Sequence, residues 1–324
     1  MRLVYPQKGQ VELQPVKLGG LTMNEVAVKA LFSGISRGTE ALVYNGLVPE
    51  SQWNVMACPH MGGHFPFPVS YGYQMVGEIA ACGTKVEGFL PGDRVFVLHP
   101  HQNMFHVFAQ NCTRLPEKVP PRRAVLAANM ETALNAIWDA QPHDGQKIAI
   151  FGAGVVGLLT GYALKKITGI SPKILDISPQ KRAVTNQLGF EFQEISGLGT
   201  DQRFDLMFNT SGAPSALQTA IDHAAFEAKI VEMSWYGDRD VRLNLGGNFH
   251  SGRLTISASQ VGHVAPSKRK SHSYARRMRE ALDLLDEPLL DKLIEPEIEF
   301  TELPNHLPDI FEPGSDLLCQ LIRY

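Results

Sequence analysis

Residues Lys147–Gly157 read KIAIFGAGVVG. The apolar run Ile148 to Phe151 suits a strand buried on both faces, and LLTGYALKKI just beyond it has the spacing of a helix. Between them stands a G-x-G-x-x-G pattern, with Gly152, Gly154 and Gly157 as its glycines and Val155 and Val156 opening the helix. Gly152 permits the tight turn, Gly154 lets backbone approach a pyrophosphate, and Gly157 lets the helix pack on the strand. The helix N-terminus offers its unpaired N–H groups to the anion. The next strand, PKILDI, ends on Asp176, 19 residues beyond Gly157. A carboxylate there accepts hydrogen bonds from an adenosine ribose and repels a 2′-phosphate. NAD is the expected cofactor, and NADP is the alternative because Lys181 and Arg182 follow closely.

Strand and helix keep alternating through PQKRAVTNQLG, RFDLMFNTSG, PSALQTAIDHA, AKIVEMSW and LTISASQVG. This rhythm predicts a doubly wound parallel sheet with helices on both faces. Thr210, Ser211, Ser234 and Trp235 follow later strands of that sheet and are expected as walls of the cofactor cleft. After Gly262 the rhythm stops.

Upstream the texture differs. Short β-like runs at Glu25–Phe32, Met75–Ala81 and Arg94–Leu98 are divided by Gly and Pro, which predicts a compact barrel-like β-domain up to about residue 120. A helix is expected over Pro121–Ala140, linking the two parts. The predicted division is 1–122, 123–261, and 262–324 as a return to the first domain.

Composition bounds the function. The chain has 324 residues, 44% hydrophobic and 19% charged, with a formal charge of −3. Such a chain is globular and large enough for two cores, and it lacks the positive field of a non-specific nucleic-acid binder. A small-molecule substrate is the expected partner. No signal-like segment and no run of about 18 apolar residues occurs, so no membrane span and a cytoplasmic location are expected. The cysteines at 58, 82, 112 and 319 are too widely spaced for CxxC zinc sites.

Four local patterns share a resemblance. SGISRGTE (33–40), YGYQMVGEI (71–79), VEGFLPGDRV (86–95) and NMETALNAI (129–137) are similar to segments of the medium-chain dehydrogenase/reductase superfamily. The resemblance implies a GroES-like β-rich catalytic domain, a Rossmann domain, hydride transfer to or from nicotinamide, and a homodimer joined near residues 240–260. It also implies a cofactor contact from Thr132. Where zinc-using members carry cysteine, histidine and acidic ligands, this chain has Ser36, Tyr73, Gln74 and Ala128 or Asn129. Hydroxyl, phenol and amide are poor zinc ligands beside thiolate and imidazole. The chain is therefore expected to bind no zinc, like a subgroup represented by a dehydrogenase of bacteriochlorophyll synthesis.

The expected activity is NAD(P)-dependent hydride transfer on a secondary alcohol/ketone pair. An NADPH-dependent enone reductase and a non-catalytic nucleotide sensor are the alternatives. A metal-free site must stabilise the oxyanion by hydrogen bonding or protonation. Ser36, Thr39, Tyr73, Gln74 and His101 are the catalytic candidates, with Arg37 as a cation that acidifies Tyr73. Glu40 is expected either to orient Arg37 or the ribose, or to lie at the surface. His99, His101 and His106 are read as loop histidines facing substrate or solvent. Arg276 or Arg277 is the candidate for meeting an anionic group on the substrate.

Overall fold

The computed structural model describes residues 1–324, which divide into two units. The first is Met1–Ala128 with Leu285–Glu287 and Ile294–Tyr324, and the second is Asn129–Leu284 with Pro288–Leu293.

In the first unit β1 (Arg2–Val4) and β2 (Glu12–Gln14) form an antiparallel ribbon. The main sheet is built from β3 (Glu25–Gly34), β6 (Met75–Cys82), β7 (Arg94–Val97), β8 (Met104–Phe108) and β9 (Cys112–Arg114), all antiparallel. A second small ribbon pairs β4 (Gly62–Gly63) with β5 (Val69–Ser70). Alternation drives the packing, since Val26, Val28 and Ala30 of β3 share one core with Met75, Ile79, Val95, Val97 and Phe105. Helices α1 (Arg37–Tyr44), α2 (Trp53–Met56) and α3 (Pro121–Ala124) decorate this sheet. The expected single helix 121–140 is two, α3 and α4 (Ala127–Ala140). The break is local: Leu126 donates to the Arg123 carbonyl, an i→i+3 bond that tightens the turn.

The second unit holds β10 (Ile148–Phe151), β11 (Lys173–Asp176), β12 (Glu191–Glu194), β13 (Phe204–Asn209), β14 (Ala224–Glu232) and β15 (Thr255–Ala258). They form one parallel sheet in the order β12-β11-β10-β13-β14-β15. The chain winds outward on one side of β10 and then on the other, so the topological switch lies at the end of β10 where the glycines are. Its helices are α5 (Val155–Thr168), α6 (Lys181–Gln187), α7 (Pro214–Asp222) and α8 (Tyr274–Asp283).

Residues 262–284 were expected to return to the first domain, yet they pack with the second unit. The cause is Arg277 of α8, 2% exposed in its side chain, whose Nε donates to Glu131 at 3.0 Å and whose Nη1 donates to Asn135 at 2.6 Å. The return comes later, through β16 (Ile298–Glu299), α9 (Leu303–Ile310) and β17 (Leu321–Arg323). β17 pairs antiparallel with β3 and parallel with β16, which brings Tyr324 beside Leu31. No helix is long and apolar enough to cross a membrane.

Candidate active site

In the first unit the chain leaves β3 and turns into α1, with Ser36 at the N-cap. Glu40, one turn into α1, folds back so that its Oε1 accepts the Ser36 N–H at 2.8 Å. Its Oε2 lies 2.9 Å from His101 Nε2, and His101 Nδ1 lies 2.8 Å from Ser33 Oγ. Ser33 Oγ is in turn 2.9 Å from the Tyr324 hydroxyl. Glu40, His101 and Ser33 have no solvent exposure. Gly72 borders this chain: its φ is +122°, and a Cβ there would stand 2.8 Å from His101 Nε2. The next residue, Tyr73, is partly exposed, and the Ser36 and Thr39 side chains stand near enough to its phenol to oppose the upward shift that burial imposes. Ser36, Thr39 and Tyr73 thus lie near one another.

Several expectations fail on geometry. Arg37 does not acidify Tyr73, because its guanidinium donates to the carbonyls of Ser315 and Leu317. Burial, with the Glu40 charge adding to it, pushes the Tyr73 phenol up to about 12. Glu40 is neither at the surface nor paired with Arg37. Gln74 is wholly buried, and with its amide turned end for end it donates to the Val125 carbonyl at 2.5 Å and accepts the Ser36 N–H at 3.2 Å, which aims it at backbone. His101 has both ring nitrogens engaged inside the protein. His99 is buried too, stacked on Phe105 at 3.7 Å with its Nδ1 on the Pro100 carbonyl. The HxH pair therefore serves two separate environments, not substrate or solvent. A metal fits poorly: the hydroxyl, phenol and amide of Ser36, Tyr73 and Gln74 are weak zinc ligands, and no group of three or more His, Cys, Asp or Glu could hold a metal ion.

The second unit carries the glycine turn expected to cradle a dinucleotide. Gly152 has φ +106°, and a Cβ on Gly157 would lie 1.9 Å from the Gly152 carbonyl oxygen, so α5 approaches β10 only because residue 157 is glycine. Gly154, the N-cap of α5, is exposed with open space where a Cβ would be, and Val155 and Val156 form the first turn behind it. This opening at the N-terminus of a 14-residue helix fits a pyrophosphate. Asp176 sits at the end of β11, its Oδ2 accepting the Ala153 N–H at 2.6 Å and its Oδ1 the Ser178 N–H at 2.8 Å. Each oxygen keeps a lone pair for a ribose hydroxyl. Arg182, the competing phosphate ligand, is paired with Glu194 at 2.9 Å and lies over Phe192.

At the ends of β13 and β14 the predicted wall residues are anchored. Thr210 Oγ1 donates to the Phe151 and Gly152 carbonyls, Ser211 Oγ to Asn209 Oδ1, and Ser234 Oγ accepts the Gly212 N–H. Thr132 stands half-buried on α4. Sequence reading missed the cluster behind them, in which Asn209 Nδ2 donates to Glu232 at 2.7 Å and to the Tyr236 hydroxyl at 3.0 Å. It also missed the chain of Ser33, Glu40 and Tyr324 around His101. The arginines assigned to an anionic substrate are otherwise occupied, Arg277 as above and Arg276 with Glu280 at 2.9 Å.

Residues 23–125 match the family described as the alcohol dehydrogenase GroES-like domain. The chain is 25% identical over 227 residues to (R,R)-butanediol dehydrogenase of Bacillus subtilis, covering 57% of this chain and 64% of that protein. It is 26% identical over 306 residues to 2-desacetyl-2-hydroxyethyl bacteriochlorophyllide A dehydrogenase of Cereibacter sphaeroides, covering 81% and 89%. Its fold is shared with the crystal structure of a zinc-binding dehydrogenase from Sinorhizobium meliloti bound to NADP, at a TM-score of 0.79, 16% identity and 100% and 98% coverage.

Proposed function

We propose that this chain, whose GroES-like domain and fold are those of the medium-chain dehydrogenases/reductases, is a zinc-independent oxidoreductase acting on a secondary alcohol/ketone pair with NAD(H). The observation that carries this reading is the Tyr73 phenol beside the Ser36 and Thr39 side chains, with Ser36 and Tyr73 at positions where zinc-using members place thiolate and imidazole. A bound nicotinamide supplies or accepts the hydride. Tyr73 holds its proton throughout the physiological range, and in ketone reduction it donates a hydrogen bond to the carbonyl oxygen as negative charge develops there. Ser36 and Thr39, which favour the ionised phenol, stabilise it as its proton is drawn away. In the second unit Gly154 and the first turn of α5 bind pyrophosphate, and Asp176 selects a free ribose 2′-hydroxyl.

An NADPH-dependent enone reductase is the second reading, because the same donors would serve an enolate; Asp176 without a nearby free cation favours the first. The test is Tyr73→Phe. With an alcohol and ketone panel, kcat is expected to fall by about 10²- to 10⁴-fold, while NADH binding followed by fluorescence is unchanged. Retained kcat in this variant removes Tyr73 from the chemistry. Stoichiometric zinc in the purified protein overturns the metal-free reading, and binding without turnover of any substrate points to a sensor.

A further inference from the structure

A cavity of about 410 Å³, open to solvent, lies in the second unit between the end of α4, the strands β14 and β15, and the segment 260–269. Its volume is that of a small-molecule site. No residue of the glycine turn lines it, nor do Asp176, Thr210, Ser211 or Ser234, so it is separate from the expected dinucleotide site. On β14, Ile230 packs into the core with α7, and alternation turns Lys229 to the opposite face, where the cavity is.

Its wall holds polar groups that lack partners. Lys229 Nζ donates to the Asp139 carbonyl at 2.6 Å and Arg269 Nε to the Val264 carbonyl at 3.2 Å, and neither cation is in an ion pair. Ser257 Oγ is shut off from solvent and has no hydrogen-bond partner, a state that buried hydroxyls rarely occupy. Gln141, the first residue past α4, holds φ +54°, where helix ends commonly place glycine, and it stands in the cavity wall. Asp139 is the single acid of the wall, and its Oδ2 accepts from Ser259 Oγ at 2.7 Å and Asn135 Nδ2 at 3.2 Å. Lys229 and Arg269 set against Asp139 leave one positive charge. That matches a carboxylate better than a phosphate monoester, which carries about −1.5 to −2. Trp138, Val264, Ala265 and Pro266 supply an apolar side.

We propose that this cavity binds a small organic monocarboxylate, at a site of its own. Lys229 and Arg269 hold the carboxylate, and the anion is the acceptor that Ser257 lacks, reached by a change of its χ1 rotamer. The apolar body of the ligand lies on the side of Trp138. One ammonium proton of Lys229 stays on the end of α4, and its other two face the ligand. The site is independent of the hydride-transfer reading.

The probe is 4-fluorobenzoate, followed by ¹⁹F NMR on the full-length protein. It is expected to bind saturably with a Kd of about 1 mM or below, equally with and without NADH. Backbone amide shifts are expected to centre on residues 138–141 and 257–269. The uncharged 4-fluorobenzamide, with the same body, and the dianionic 4-fluorophenyl phosphate are expected to bind at least about tenfold more weakly. Lys229→Gln should weaken benzoate by about 10- to 100-fold. Ser257→Ala gives a split that a purely structural serine would not give. It removes an unpaired buried hydroxyl, so Tm of the ligand-free protein is not expected to fall, yet the benzoate Kd should rise by about tenfold. Should Lys229→Gln not fold, Arg269→Gln, at an exposed side chain, takes its place. Absence of saturable binding to the wild type overturns the proposal, as does equal binding of the amide. Displacement of benzoate by NADH, or a Kd unchanged in the folded variants, overturns it too. Amide shifts at 257–269 that follow protein concentration and ignore benzoate would make the cavity a contact between copies of the chain, and would also overturn it.

Discussion

The imidazole of His99 stacks on Phe105 and bonds to the Pro100 carbonyl, and its burial has a measurable consequence. Burial pushes this side chain down to about 3. The unfolded chain takes up a proton near pH 6.5, while the folded one stays neutral to about pH 3. Stability from this residue is therefore complete above pH 6.5 and falls as the pH drops toward 3, by about 1.4 kcal/mol per pH unit at most. His99→Phe, which keeps a ring on Phe105, is expected to flatten this dependence. Urea unfolding at pH 7.5 and 5.5 checks it, with a difference of about 1 kcal/mol between wild type and variant in the drop. Residues such as these are only half legible in a sequence. Ser36, Tyr73 and Gln74 are legible because they occupy positions where zinc-using members of the resembled superfamily carry ligands. Ser33 and Tyr324 lie 291 positions apart, and no local pattern joins them.

Elements were more legible than their partners. The strand expected at Glu25–Phe32 extends to Gly34, the one at Met75–Ala81 to Cys82, and the one at Arg94–Leu98 stops at Val97. Alternation of apolar residues decides these ends, and it is visible in one dimension. The basic segment 266–282 is helical only from Tyr274 onward, and its charge pattern does not show that Arg277 faces inward. An amphipathic pattern reveals that a helix has a buried face without saying what covers it. The Arg277–Glu131 pair now fixes α8 to α4. Burial pushes the Glu131 carboxyl up, and the guanidinium opposes that shift. Arg277→Met leaves a buried acid without its partner and is expected to cost about 3–5 kcal/mol. Adding Glu131→Met should recover most of the loss, as chemical denaturation of the four members of the cycle will show.

At the scale of the whole molecule, the order of elements was readable because a βαβ rhythm and right-handed crossovers leave few topologies for a parallel sheet. The return of the last segment to the first unit was expected, but its late start and the pairing of β17 with β3 were not legible, since they depend on contacts made across almost the entire chain. Occupancy of the dinucleotide cradle should stabilise the fold by mass action, by about 2–3 kcal/mol at a hundredfold excess over Kd. Thermal unfolding is expected to rise with NADH more than with NADPH at equal concentration, and Asp176→Ser should abolish the difference. A larger rise with NADPH in the wild type would reverse the assignment of cofactor. Asp176 has a further meaning for the history of such a site. Its two oxygens already tie the glycine turn at Ala153 to the loop at Ser178 before any ribose arrives. A lineage adapting to the phosphorylated dinucleotide would have to replace those two backbone ties as well as the charge. On the NAD(H) reading, cofactor choice is tied to loop architecture, and a switch would require several coordinated substitutions instead of one.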